Sequence, residues 1–150
     1  MTATMIEPIQ RSVIVNRSVE DAFRIFTDEI GRWWPLESHS IGEDKVATAL
    51  FEGGAGGRVV ERWHDGTEHE WAKILEWEAP NRFVLAWKPN TNRSAPTEVE
   101  VRFSPEGNGT RVELTHRGWE RLGDEALGAR ESYAGGWQGT LERFVQATAA

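Results

Sequence analysis

Eight tryptophans, Trp33, Trp34, Trp63, Trp71, Trp77, Trp87, Trp119 and Trp137, are the most conspicuous chemistry in this chain. Each indole joins a large apolar surface to one N–H that needs an acceptor when buried. They could form a core of large residues, which composition alone favours, or an aromatic wall for a small molecule. The titratable groups pose a similar choice. Glu61, Glu68 and Glu70 lie beside His64 and His69, a set able to exchange protons if buried with shifted affinities. They flank Asp65-Gly66, a strong hairpin-turn pair, so a solvated charged turn is expected. His64, His69 and the adjacent glutamates show no metal-ligand spacing, and no metal is expected. No serine sits in a nucleophile elbow and no dinucleotide motif is present, so no cofactor and no catalytic residue are assigned.

Charge and composition narrow the partners. The formal net charge is −7, and the basic residues are scattered singly, which argues against nucleic acid and anionic membrane surfaces. With no cysteine, disulfides and thiolate chemistry are excluded. The longest apolar run, Phe83 to Trp87, is too short to cross a bilayer. Residues 1–11 contain no apolar signal segment, so a cytoplasmic location is expected. A chain of 150 residues, 39% hydrophobic and 27% charged, suits one folded domain over residues 1–150.

The elements that must position these side chains follow from periodicity. Ile9, Arg11, Val13 and Val15 alternate with polar neighbours and predict a first strand. Ser18 is a candidate N-cap with Asp21 three residues on, and Ala22, Phe23, Phe26 and Ile30 follow at helical spacing. That helix should end near Gly31, before Pro35, leaving Trp33 and Trp34 at its exit. Residues 35–44 read as a loop and 46–51 as a short strand. The glycines at 53, 54, 56 and 57 lead into a strand, so they predict a turn and not a phosphate loop. Strands are expected over 58–64 and 67–78, with turns at 65–66 and 79–81, then around Phe83 to Trp87. A loop over 89–96 precedes two alternating strands, Val99-Val101-Phe103 and Val112-Leu114-His116.

The period then becomes helical. Ala126, Ala129, Tyr133, Trp137, Leu141, Phe144 and Val145 predict an amphipathic helix from about residue 124 to the C-terminus. Gly128, Gly135, Gly136 and Gly139 lie within it, at about 1 kcal/mol each against alanine. Close approach of the backbone to a sheet or ligand would account for them, and so would a break at Gly135-Gly136.

Several phrases in this order resemble the START-like (SRPBCC) superfamily. They are Ser18-Val19-Glu20-Asp21-Ala22-Phe23, Gly56-Gly57-Arg58-Val59, Asp65-Gly66-Thr67-Glu68 and Trp77-Glu78-Ala79-Pro80-Asn81-Arg82. Thr97 to Phe103 and Tyr133-Ala134-Gly135-Gly136-Trp137 complete the match, which covers nearly the whole chain. The match looks like the branch resembling the C-terminal domain of the heat-shock-protein-90 ATPase activator. The resemblance implies an α+β helix-grip fold. A seven-stranded curved antiparallel sheet would wrap a long C-terminal helix, with two short helices after strand 1. It also implies a cavity for hydrophobic molecules and, from the branch name, a link to stress response. In the eukaryotic co-chaperone the main ATPase-stimulating contacts belong to an extra N-terminal domain, which this chain is expected to lack.

The candidate ligand contacts are Trp33, Trp34, Arg62, His69, Trp71, Trp87, His116, Tyr133 and Trp137. A two-residue turn at Asp65-Gly66 would pair Arg62 with His69. Parity does not settle which face of this hairpin is inside, because aromatics occupy both. Binding of a lipid-like or aromatic molecule ranks first. A cyclase, dehydratase or hydrolase using His116, His69 or a glutamate ranks second, and a chaperone- or regulator-interacting domain third. A homodimer remains open.

Overall fold

The computed structural model describes residues 6–36, 39–88 and 96–149. The loop expected over 89–96 therefore lies outside the described residues except at Pro96. Strand β1 (Ile9–Val15) is followed by helices α1 (Val19–Thr27) and α2 (Ile30–Trp33). Six strands follow: β2 (Val46–Phe51), β3 (Arg58–Trp63), β4 (Glu68–Glu78), β5 (Arg82–Trp87), β6 (Thr97–Glu106) and β7 (Gly109–Arg117). A 3-10 segment, Trp119–Glu125, leads into α3 (Ala126–Ala149). The seven strands form one antiparallel sheet in the order β1-β7-β6-β5-β4-β3-β2. This is the α+β helix-grip architecture.

Consecutive strands in the meander are neighbours, but β1 and β2 lie at opposite edges. The chain between them must cross the sheet, and α1 and α2 make that crossing. Ser18 caps α1, its hydroxyl accepting from the Asp21 N–H at 3.1 Å. The single helix expected here divides at Asp28-Glu29 into α1 and α2. A Cβ on Gly31 would lie 2.9 Å from the Ala49 carbonyl oxygen and closer still to the Thr48 hydroxyl. Glycine is thus what lets α2 rest on the backbone of β2.

Cross-strand partners share a face. One inner row runs Ile9, His116, Val99, Leu85, Ile74, and the next runs Leu114, Val101, Phe83, Trp77. Helix α3 covers this face through Trp137, Leu141 and Phe144. Arginines fasten it: Arg11 donates to the Ala134 carbonyl, Arg130 to Glu7 and Pro8, and Arg17 to Thr148 near the helix end.

Three details differ from the sequence expectation. The β3–β4 turn has three residues, His64 to Gly66, because the Trp63 N–H bonds to Thr67 O and Gly66 takes a positive φ. Arg62 consequently pairs with Glu68, and Glu61 with His69. Strand β4 is bulged, with register shifts at 70–72 and again at 74–76. The bulges bring His69 and Trp71, then Ala72 and Ile74, then Trp77 to the same inner face. Finally, α3 is continuous through its glycines, so no break occurs at Gly135-Gly136. A Cβ at Gly128, Gly135 or Gly139 would meet nothing within 4 Å, and one at Gly136 would touch only His39. Close backbone packing is therefore not what those glycines serve. Among the described residues no helix is long and apolar enough to cross a membrane.

Candidate ligand-binding site

The start of β4, the end of β5, the exit of α2 and the middle of α3 together bring four indoles into contact. Trp34 lies 4.9 Å from Trp71 and 5.7 Å from Trp137, centroid to centroid, and Trp87 lies 5.7 Å from Trp137 and 6.0 Å from Trp71. All four are buried. Tyr133, one helical turn before Trp137, accepts the Trp87 indole N–H at 3.2 Å. Trp33 touches this group only through Trp34, at 5.7 Å, and otherwise faces the phenyl rings. It packs on Phe26 and Phe144, and its N–H is held by Ile25 O at 2.9 Å.

His116 is fully buried beside the cluster, 4.2 Å from Trp119 and 5.0 Å from Tyr133. The Trp137 indole N–H donates to its Nδ1 at 3.0 Å. Indole can only donate, so Nδ1 carries no proton. The proton is on Nε2 and goes to Thr97 Oγ1 at 2.6 Å. Burial pushes the imidazole down to about 3, so it stays neutral at physiological pH. Both ring nitrogens are engaged, which leaves His116 to position Trp137 and Thr97 rather than to move protons.

Glu61 overturns the expectation of a wholly solvated charged turn. Asp65, Glu68 and Glu70 are exposed, but Glu61 is 0% exposed. Its Oε1 accepts from the Ile41 N–H at 2.7 Å and the Trp71 indole at 2.6 Å. Its Oε2 accepts from the Gly42 N–H at 2.8 Å and the Trp63 indole at 2.6 Å. Four donors fill its acceptor positions, so one carboxylate ties the 39–45 segment to two indoles and leaves nothing for a metal. Gly42 lies against the Trp63 ring so closely that a Cβ would come within 2.6 Å. The same segment accepts the Trp34 N–H at His39 O, 2.9 Å.

Of the residues singled out from sequence, Trp34, Trp71, Trp87, His116, Tyr133 and Trp137 come together. His69 sits half-buried at the rim, stacked on Trp63. Arg62 lies on the other face in an ion pair with Glu68 at 2.9 Å and does not join them. Glu61, Thr97, Trp119 and His39 are partners the sequence reading missed as such. Their signal was weak because Glu61, Trp119 and His39 act through backbone groups and Thr97 through a residue distant in sequence. Among the described residues no cluster of His, Cys, Asp and Glu could hold a metal ion.

This arrangement has relatives. The family model for "Activator of Hsp90 ATPase homolog 1-like protein" matches residues 16–149. The chain belongs to this AHSA1-like family. Among solved structures it is similar to Txn09, an anthrahydroquino-γ-pyrone synthase, at 38% identity. That match covers 95% of this chain and 97% of that one, with a TM-score of 0.64. CalU16 from Micromonospora echinospora matches at 21% identity over 94% of this chain and 75% of that one, TM-score 0.66. The Aha1 dimer from Colwellia psychrerythraea matches at 16% over 95% of this chain and 96% of that one, TM-score 0.63. These last two likenesses speak for the shared fold alone. No curated protein sequence matches the chain.

Proposed function

We propose that this AHSA1-like protein binds a planar, polycyclic phenol between its sheet and α3 and closes an oxygen heterocycle on it. The observation that supports this reading most is the indole cluster of Trp34, Trp71, Trp87 and Trp137. Flat aromatic faces with few, fixed polar atoms suit a flat aromatic ligand better than a flexible acyl chain. The 38% identity to a γ-pyrone synthase supports the same reading and is our reason for preferring catalysis to binding alone. In such a closure a phenolic oxygen attacks a side-chain ketone carbon. The new C–O bond forms as the carbonyl oxygen takes up a proton, and the resulting hemiketal loses one water. Ligand contacts fall to Trp34, Trp71, Trp87, Tyr133 and Trp137, with His116 holding Trp137 in place.

The test is a thermal-shift and tryptophan-fluorescence screen against hydroxyanthraquinones, flavonoids, sterols and fatty acids. A ligand at about 100 times its Kd adds about 2.7 kcal/mol, several degrees for a domain of this size. A saturable rise confined to planar phenols is expected, followed by loss of one water from a ketone-bearing analogue in mass spectrometry. A rise with fatty acids alone would sink the reading. The family description favours a second reading, regulation of a chaperone ATPase. It gains if no small molecule shifts the melting temperature and the purified chaperone does.

A further inference from the structure

His69 lies two residues before Trp71 on β4 and opposite Glu61 in register, at the rim of the indole cluster. Three neighbours fix it. Its ring stacks on Trp63 at 3.8 Å with 25° between the planes. Its Nε2 lies 3.0 Å from Thr67 Oγ1. That hydroxyl lies 2.6 Å from Asp65 Oδ1, which also accepts the Thr67 N–H at 2.9 Å.

The proton positions follow from this chain. Hydrogen bonds from Thr67 hold the Asp65 carboxyl below its ordinary range, so it is an acceptor only. The single Thr67 hydroxyl proton must therefore go to Asp65. His69 Nε2 must carry a proton and donate it to Thr67 Oγ1. In the neutral ring the lone pair is then on Nδ1, which has no partner among the described residues. The contrast with His116 is complete, since there both nitrogens are used internally. Other charges near this stack are Lys45, 5.2 Å from the centre of the Trp63 ring, and Glu61, bonded to the Trp63 indole.

We propose that His69 is the catalytic base, accepting the phenolic proton of the bound ligand on Nδ1. The role rests on the reading given under Proposed function. The O–H bond breaks, its electron pair stays on oxygen as phenolate, and the proton makes His69 an imidazolium. Asp65, reached through Thr67, balances that charge, and the imidazolium returns the proton to the carbonyl oxygen as the ring closes. Thr67 and Asp65 are positioning residues, and Trp63 holds the plane of the imidazole.

The experiment uses 2-hydroxyanthraquinone, a planar phenol whose anion absorbs at longer wavelength than its neutral form. Binding is read by quenching of tryptophan fluorescence, and ionisation of the bound dye by its absorbance as pH is varied. With the wild type, the bound dye should ionise at least about one pH unit below the free dye, a tenfold preference for phenolate. His69→Gln should bind within about threefold and return the midpoint to that of the free dye. Thr67→Val should fall between the two, since it frees the ring to turn. Unchanged ionisation in His69→Gln with binding intact would overturn the role of His69 alone. Absence of quenching in the wild type would overturn the planar-phenol reading and this role with it.

Discussion

The inner face has two halves that bury similar apolar bulk in different ways. Around α1 and the last turns of α3, Phe23, Phe26, Phe83, Phe103 and Phe144 pack edge to face or tilted at centroid distances of 5.0–6.2 Å. Around α2 and the middle of α3, Trp34, Trp71, Trp87 and Trp137 pack as closely. There, however, every indole N–H ends on a specific acceptor: His39 O, Glu61, Tyr133 OH and His116 Nδ1. Phenyl rings need only volume. Indoles also need direction, and an orphaned donor costs about 1–3 kcal/mol. The phenyl half holds the fold, while the indole half keeps polar atoms fixed at defined places, as a binding site requires.

Substitution at Glu61 should separate the halves most sharply. Glu61→Gln keeps the shape but turns an NH2 toward donors, leaving at least one pair donor to donor. A loss of at least about 3 kcal/mol is expected in urea unfolding. Phe144→Met, near volume-conserving in the phenyl half, should lose no more than about 1.5 kcal/mol. Equal losses would erase the distinction.

His116 gives a second contrast, read by pH. Its folded affinity for protons is depressed to about 3 by burial, against 6.5 in the unfolded chain. Between these values the unfolded state binds the proton and the folded state does not. Stability is therefore intact above about 6.5 and falls as pH drops toward 3, by at most about 1.4 kcal/mol per pH unit. Urea midpoints from pH 7 to 4 should fall more steeply for the wild type than for His116→Gln. Parallel curves would mean that His116 charges in the folded state. On the outer face the sign is the same for a different reason. Burial raises Glu100, but hydrogen bonds from Arg117 and Arg82 outweigh it and hold the carboxyl low, so that pairing is also lost in acid.

What the sequence made legible divides along the same line. The phenyl half obeys simple periods: Val99, Val101 and Phe103 alternate, and Leu141 and Phe144 keep helical spacing, so its strands and helix could be placed. Ser18 announced the start of α1 in the same way. The indole half depends on events that leave no periodic trace. One bulge in β4 lets Trp71 and Ala72 share a face and a second brings Trp77 to it, which defeats parity counting. Glu61 looked solvated because its partners, the Ile41 and Gly42 N–H groups, belong to a loop. Its neighbour Arg62 was placed with His69 by a turn one residue too short.

The smallest expected effect tests whether the two halves also differ in local stability. Helix α3 spans both, packing Trp137 in the indole half and Phe144 in the phenyl half. All its glycines lie between 128 and 139, and none lies in the ten residues from 140 to 149. Since a Cβ at Gly128, Gly135 or Gly139 meets open space, each glycine loses helix propensity without any packing reason. Gly135→Ala and Gly139→Ala should each stabilise the protein by about 0.5–1 kcal/mol. In the wild type, backbone amides around Trp137 should exchange hydrogen faster than those around Phe144, and the alanine variants should narrow the gap. If the variants stabilise the helix and weaken ligand binding, the glycines serve a helix that must yield when the indole cluster accepts a guest. If binding is unchanged, the looseness is a property of the exposed surface, and the indole half is as rigid as its hydrogen bonds imply.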